Sequence, residues 1–167
     1  YVIGCVGNFF PDKGHLLLLK LINILEENLK EKIKVKFIGS GPAKEECILY
    51  SEKYLSQNIV TYTNAIEHKF LNEFYNSLDL FVLPSSWEGL GCVYLEAYSC
   101  GIPFIGVKGQ GIDEWIPKDL KNTLLCNPLD VDNLSNLIQR HINEKITIDK
   151  LNFNVSIDSQ IQDFLDF

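Results

Sequence analysis

Several residue types and patterns are scarce in this chain. Its 167 residues include no methionine and only two tryptophans, and no apolar run approaches the ~20 residues that a membrane-spanning helix needs. The five cysteines are odd in number and never form a CxxC pair. We therefore expect buried or half-buried free thiols of a reducing compartment rather than a disulfide framework. No signal peptide is visible, so the sequence predicts a cytoplasmic protein.

Positively charged residues are also fewer than negatively charged ones. Fifteen lysines and arginines face 22 aspartates and glutamates, which gives a net charge of −7. This balance argues against a nucleic acid or an anionic membrane held by bulk electrostatics. A hydrophobic content of 46% with 22% charged residues is typical of a globular protein, and the length suits a single domain over residues 1–167. Because a strand-like run begins at Tyr1 without an initiator methionine, we expect a fragment that begins inside a larger protein.

Short β-rich runs alternate with longer helical patterns along the whole chain. Strands are predicted at residues 1–6, 33–38, 59–63, 79–83, 102–107 and 123–126. Helices are predicted at residues 15–29, 42–56 and 67–78, from about residue 91, and at 112–116, 130–142 and 156–167. This order predicts an α/β fold with a doubly wound, Rossmann-like parallel sheet.

Glycine- and asparagine-containing loops follow five of the predicted strands. They are Gly7, 39–41, Asn64, 85–91 and 109–111. Because ligands of doubly wound folds bind at the carboxyl ends of the strands, we expect these loops to converge on one edge of the sheet.

The most informative of these loops lies within residues 84–103. It places two carboxylates, Glu88 and Glu96, on either side of a Gly-x-Gly turn that opens a helix. Free backbone N–H groups at such a turn attract an anion, whereas the carboxylates would repel phosphate and are better suited to accept hydrogen bonds from hydroxyls. An anion site beside hydroxyl acceptors indicates a phosphorylated sugar.

These motifs together resemble the C-terminal domain of the two-lobed (GT-B) glycosyltransferases, in particular the retaining family 4 (glycosyl transferases group 1). The strongest match is Pro-Ser-x-x-Glu-Gly-x-Gly at 84–91, with a second glutamate, Glu96, eight positions after the first. Gly-Ile-Pro at 101–103, Gly-Ser-Gly-Pro at 39–42 and Lys-Gly at 13–14 extend it. The resemblance covers nearly the whole chain and implies one half of a GT-B fold.

The resemblance implies roles for individual residues. Glu88 would contact the donor-sugar hydroxyls and Lys13 the diphosphate, and these two form the expected catalytic set. Glu96 would accept hydrogen bonds from the ribose, and Asn64 would lie beside the nucleobase. The expected donor-binding residues are Gly7, Asn8, Gly89, Leu90, Gly91, Val93, Glu96, Asn64 and Ala65. The loop at 109–111 resembles one that lies across the cleft from the sugar.

Asn8 is the chief departure, because the family commonly has an arginine there. Asparagine donates a hydrogen bond but brings no charge, so another cation is expected to replace it, Lys108 or one from the absent partner domain. We interpret Trp87 as a packing residue and His15 as a helix-capping residue, and no metal ligand spacing is present.

The resulting hypothesis is a hexosyltransferase-type domain that binds a nucleotide-diphosphate sugar linked to UDP, GDP or ADP. No metal or cofactor is expected, since the nucleotide sugar is a substrate. The acceptor, a glycan or lipid in polysaccharide biosynthesis, would bind a missing N-terminal domain, which would also supply any peripheral contact with the inner membrane face. The fragment alone is expected to be inactive. The alternatives are a degenerate module without donor affinity and a GT-B-like nucleotide-sugar epimerase. The base, sugar, acceptor and oligomeric state are left open.

Overall fold

The computed structural model describes residues 1–151 and contains one six-stranded parallel sheet with flanking helices. The strands are β1 (Val2–Val6), β2 (Lys34–Ile38), β3 (Val60–Thr63), β4 (Leu80–Val82), β5 (Phe104–Val107) and β6 (Leu125–Cys126). Their order across the sheet is β3-β2-β1-β4-β5-β6, and every neighbouring pair is parallel. The predicted doubly wound sheet is confirmed.

The helices connect and cover these strands. Within the described residues they are α1 (His15–Ile24), α2 (Glu27–Lys30), α3 (Lys44–Tyr54), α4 (Leu71–Tyr75), α5 (Cys92–Ser99), α6 (Gly111–Trp115), α7 (Lys121–Leu124), α8 (Val131–Glu144) and α9 (Ile148–Leu151). Short 3-10 turns at Pro11–Lys13 and His68–Phe70 precede α1 and α4. Helices α1 and α3 pack on each other, as do α4 and α5.

The core lies between the sheet and these helices. Every residue of β4 and β5 is buried, as expected for central strands of a parallel sheet, which are covered on both faces. Helix α1 contributes Leu18, Leu19 and Leu21, each without solvent exposure. Burying one such leucine stabilises the fold by about 2 kcal/mol. The core therefore holds the strand ends, and the loops that follow them, in fixed positions.

The order of the strands determines where a ligand site can form. From β1 the chain proceeds outward through β2 to the edge strand β3, and then returns to pair β4 with the other side of β1. The direction of winding thus reverses between β1 and β4. Loops leaving these two strands diverge at such a point and open a crevice at the carboxyl edge of the sheet.

Some predicted boundaries were wrong. The helix expected at 15–29 ends at Ile24, because Leu25 takes an extended conformation (φ −62°, ψ 155°), and a separate turn of helix follows. The strand expected at 123–126 is preceded by α7 and retains two residues. The helix expected at 42–56 begins two residues later, at Lys44. The amphipathic helix predicted at 156–167 lies outside the described residues.

The cysteines are free thiols, as expected, but they are not all buried. Cys5, Cys47 and Cys126 are buried and Cys100 is half-buried, whereas Cys92 is exposed at the start of α5. Within residues 1–151, none of the helices combines the length and apolar character needed to cross a lipid bilayer.

Candidate functional site

The loops that leave β1 and β4 contact each other directly. The Ser86 N–H donates to the Asp12 carbonyl oxygen over 2.7 Å. Gly14 is left-handed (φ 77°), and a Cβ there would lie 2.3 Å from the Pro84 carbonyl oxygen. A side chain at Gly14 would therefore collide with backbone. The Lys-Gly and Pro-Ser motifs, distant in sequence, form one tightly packed unit.

This packing brings Lys13 and Glu88 into contact. The Lys13 Nζ atom lies 2.8 Å from Glu88 Oε1, and the two side chains are 19% and 14% exposed. Lys13 also approaches the Trp87 carbonyl oxygen, at 3.4 Å. The two expected catalytic residues thus meet in a partly buried ion pair. Trp87 is 71% exposed, so its interpretation as a packing residue is wrong.

The loop after β5 supports Glu88 from the other side. The Gln110 Oε1 atom accepts from the Glu88 N–H over 2.6 Å, and Gln110 Nε2 donates to the Ser86 carbonyl oxygen over 3.1 Å. The two backbones approach so closely that a Cβ on Gly111 would lie 2.1 Å from the Gly89 carbonyl oxygen. Gln110 was not predicted as a site residue, although its place between two glycines in a strand-end loop was a usable signal.

The Gly-x-Gly turn opens helix α5 as predicted. Gly91 is the left-handed N-cap (φ 67°), and a Cβ added to Gly89 would meet no atom within 4 Å. The Tyr94 N–H of the first turn donates to the Gly91 carbonyl oxygen over 3.0 Å, whereas the N–H groups of Cys92 and Val93 precede the first acceptor that the helix can offer. Leu90 is half-buried beside them. The turn therefore offers an anion both backbone donors and the positive end of the helix dipole.

Glu96 lies on α5 and contacts a different part of the fold. Its Oε2 atom accepts from the Tyr75 hydroxyl over 2.8 Å, and its Oε1 atom lies 3.3 Å from His68 Nε2. The Glu96 side chain is 27% exposed and the His68 side chain 80% exposed. Neither partner was predicted, because both belong to the segment before β4 and nothing in the local sequence pairs them with Glu96.

The loops after β1 and β2 run side by side. The Gly7 N–H donates to the Ile38 carbonyl oxygen and the Phe9 N–H to the Ser40 carbonyl oxygen, both over 3.0 Å. A Cβ on Gly39 (φ 151°) would lie 1.9 Å from the Gly7 carbonyl oxygen. Between these contacts, Asn8 is exposed at the carboxyl edge of the sheet.

Asn64 and Ala65 join this edge beyond β3. The Asn64 Oδ1 atom accepts from Lys44 Nζ over 2.8 Å, and the Ala65 N–H approaches Ser40 Oγ at 3.4 Å. Lys44 also donates to the Gly39 carbonyl oxygen over 3.1 Å. It is a cation at the same edge as Asn8 that was not predicted, although its position two residues after the Gly-x-Gly-Pro motif was visible in the sequence.

Lys108 was expected as a cation that replaces the missing arginine at position 8, but its side chain lies elsewhere. Its Nζ atom donates to Asn127 Oδ1 over 3.2 Å and to Asn122 Oδ1 over 3.4 Å. Both partners flank β6, so in this structure Lys108 connects the last two strands of the sheet and does not contact the loop that carries Asn8.

His15 is buried at the start of α1. Its ring is 1% exposed, stacks on Phe9 with centroids 4.0 Å apart, and has no hydrogen-bond partner among the described residues for either nitrogen. The N-cap of α1 is Gly14, without a side-chain cap, so the capping interpretation is wrong. Burial, with a smaller contribution from Lys13, lowers the pKa of His15 to about 4, and the ring is neutral at pH 7.

Solved structures share this arrangement of strands and helices. HepE from Anabaena, crystallised with UDP-glucose, superposes with a TM-score of 0.78 over 99% of this chain and 48% of its own, at 22% identity. At that identity the likeness concerns the fold, which is that of the GT-B glycosyltransferase domains.

Sequence relatives lead to the same group of proteins. Sulfoquinovosyl transferase SQD2 of Arabidopsis thaliana is 34% identical over 144 residues, covering 85% of this chain and 26% of the relative. Protein CapJ of Staphylococcus aureus is 34% identical over 146 residues, covering 86% of this chain and 36% of the relative. The chain thus spans about a quarter to a third of the length of these curated relatives. The family model described as glycosyl transferases group 1 matches residues 1–155. This chain belongs to that family of glycosyltransferases.

Proposed function

We propose that this chain binds a nucleotide-diphosphate sugar and presents it for transfer of a hexose-type group to an acceptor glycan or lipid, with retention of configuration. The observation that carries the proposal is the Lys13–Glu88 contact at the junction of β1 and β4. A cation suited to a diphosphate and a carboxylate suited to sugar hydroxyls lie side by side, which supports binding of a ligand whose diphosphate is joined to a sugar. The UDP-glucose bound by HepE, a protein of the same fold, supports this class of ligand.

Charge development in the reaction explains the placement of Lys13. In transfer, the bond between the sugar C1 atom and the diphosphate oxygen breaks and its electron pair leaves with the diphosphate. The acceptor hydroxyl oxygen forms the new bond to C1 and gives up its proton. Lys13 and the N–H groups at the start of α5 stabilise the charge that accumulates on the leaving diphosphate. These groups are held in place before the reaction, so little reorganisation is needed.

The two carboxylates serve binding and orientation. Glu88 can accept from two neighbouring sugar hydroxyls, and Glu96 from the ribose hydroxyls, since a carboxylate accepts several hydrogen bonds at once. Asn64 and Ala65 lie beyond β3, where a nucleobase attached to that ribose can reach backbone groups. The acceptor and its proton acceptor belong, in this proposal, to an N-terminal domain. The 167-residue chain then binds donor and transfers nothing.

A second candidate, a domain that has lost donor affinity, rests on two observations. Asn8 supplies no charge at the position where the family commonly has arginine, and the Glu88 carboxylate lies 2.8 Å from Lys13 and neutralises its charge. In such a domain, the diphosphate would bind too weakly to hold a donor. An epimerase acting on a nucleotide sugar is the third candidate, but no contact among residues 1–151 favours it.

Calorimetric titration of the chain with UDP, GDP, ADP and their glucose conjugates separates these candidates. We expect one base to bind, and Lys13→Gln to weaken that nucleotide at least tenfold. This loss corresponds to about 1.4 kcal/mol. The matched control is Lys20→Gln, which removes an exposed lysine of α1 and should leave affinity unchanged. A folded chain that binds none of the six ligands would overturn the proposal in favour of the degenerate module.

A further inference from the structure

The carboxylate of Glu96 has two partners of opposite character. Oε2 accepts a 2.8 Å hydrogen bond from the Tyr75 hydroxyl, whereas Oε1 lies 3.3 Å from His68 Nε2. Tyr75 is 1% exposed at the end of α4, and its ring packs edge-on against Phe81 of β4 with centroids 5.8 Å apart. The His68 side chain is 80% exposed. One oxygen of Glu96 therefore faces the core, and the other faces solvent.

The core holds the inner contact in place, whereas the outer one is exposed to solvent. Because α4 and the sheet enclose the Tyr75 ring, its hydroxyl is fixed in position beside Glu96. Burial, reinforced by the Glu96 carboxylate, raises the pKa of Tyr75 far above neutral pH, so the hydroxyl remains a donor. His68, in contrast, can turn into solvent and leave Oε1 to a ligand.

We propose that Tyr75 is a positioning residue for ribose recognition: its hydroxyl fixes the Glu96 carboxylate so that Oε1 meets the ribose hydroxyls, and His68 gives way to them. This inference rests on the proposed function, since it concerns the same donor site. Its physical reason is pre-organisation. A glutamate that is already immobilised by the core loses little rotamer freedom when ligand binds, and the affinity improves accordingly. Tyr75 itself does not need to touch the nucleotide.

The test measures how strongly the chain prefers a nucleotide with ribose hydroxyls to one that lacks them. Dissociation constants for UDP, GDP and ADP are compared with those for the corresponding 2′,3′-dideoxy nucleotides, first in the wild-type chain. Tyr75→Phe removes one oxygen atom and retains the ring contact with Phe81. We expect the ratio of the dideoxynucleotide dissociation constant to the ribonucleotide dissociation constant to fall about three- to tenfold in this variant, which is the size of effect that one ordinary hydrogen bond has. The thermal unfolding midpoint is expected to fall modestly, because a hydrogen bond to a carboxylate is lost.

Two further variants separate positioning from a general structural effect. Tyr94 is an equally buried tyrosine whose hydroxyl donates to the Leu83 carbonyl oxygen over 2.7 Å. Tyr94→Phe should lower the unfolding midpoint and leave the ribose discrimination intact. His68→Ala removes only the outer partner of Glu96 and should preserve or increase the discrimination.

The inference and the proposed function would fail with different experimental results. If the wild-type chain discriminates and Tyr75→Phe discriminates equally well, Tyr75 does not position Glu96 and the inference is overturned while the proposed function stands. A discrimination that falls in His68→Ala and not in Tyr75→Phe overturns it as well, by reversing the two roles. A wild-type chain that binds none of the nucleotides overturns the proposed function and this inference together.

Discussion

Lys13 Nζ and Glu88 Oε1 lie 2.8 Å apart although 75 positions separate the two residues in the chain. The cation expected at a diphosphate and the carboxylate expected at a sugar therefore neutralise each other. Under the proposed function, a bound donor divides this pair, because its phosphate oxygens contact Lys13 and its sugar hydroxyls contact Glu88. Substitutions in this ion pair can therefore separate the contribution of the diphosphate to donor affinity from that of the sugar.

Replacing Glu88 by glutamine should affect the two ends of the donor in opposite ways. We expect Glu88→Gln to bind UDP as well as the wild type or a few-fold more tightly, because Lys13 is released and a repulsive charge near the diphosphate is removed. The preference for UDP-glucose over UDP should disappear. Calorimetry with both ligands measures this, and Glu52→Gln on the exposed face of α3 is the control. Equal losses for both ligands would show that Glu88 supports only the loop.

Gln110 should contribute to donor binding without touching the diphosphate. Gln110→Ala removes the acceptor of the Glu88 N–H and the donor to Ser86, so the free energy of unfolding should fall by about 1–2 kcal/mol. UDP-glucose affinity should fall more than UDP affinity, because Glu88 is no longer held in place. Urea unfolding and calorimetry report the two effects. Gln57→Ala, at an exposed position before β3, should change neither. A uniform loss for both ligands would contradict this role.

Two glycines of the site should respond differently to alanine. A Cβ at Gly89 meets no atom within 4 Å, whereas one at Gly111 would lie 2.1 Å from the Gly89 carbonyl oxygen. Gly89→Ala should leave the thermal unfolding midpoint unchanged but lower nucleotide affinity at least tenfold, because the methyl group occupies the space that a ligand needs to reach the backbone. Gly111→Ala should lower the midpoint itself. An affinity that survives Gly89→Ala would show that the ligand does not approach this turn.

His15 should make stability fall as the solution is acidified. Its pKa is about 4 in the folded chain because the ring is buried, and about 6.5 when unfolded. Below pH 6.5 the unfolded state binds the proton first, so the contribution to stability declines from pH 6.5 to about 4 and is constant below that. The total decline is on the order of 3 kcal/mol.

A matched variant isolates this effect from the titration of carboxylates in the same range. His15→Gln cannot titrate, and the difference in unfolding free energy between wild type and variant should shrink as the pH falls from 6.5 to 4. Urea unfolding at several pH values gives this difference. A difference that is constant with pH would show that His15 does not titrate between its folded and unfolded states as its burial requires.

Much of this protein was determined by sequence alone. The alternation of β-rich runs with amphipathic segments was sufficient for the parallel sheet and its strands, because strand and helix periodicities are local properties. The register of Glu88, Gly89, Gly91 and Glu96 identified the turn that opens α5 and the family. The predicted end of α1 was wrong for a local reason. The extended backbone of Leu25 ends the helix, although the apolar spacing of the sequence continues in a helical pattern beyond it.

Only the tertiary structure decided how these pieces meet. The contact of Lys13 with Glu88, the support from Gln110, and the hydrogen bond from Tyr75 to Glu96 each join loops or helices that follow different strands. No local pattern encodes such contacts, because they depend on the strand order β3-β2-β1-β4-β5-β6, which places β1 beside β4. The exposure of Trp87 and the burial of His15 were decided in the same way. The sequence supplied the chemical groups, and the order of the strands in the sheet determined which of them face each other, because it sets which loops and helices are neighbours.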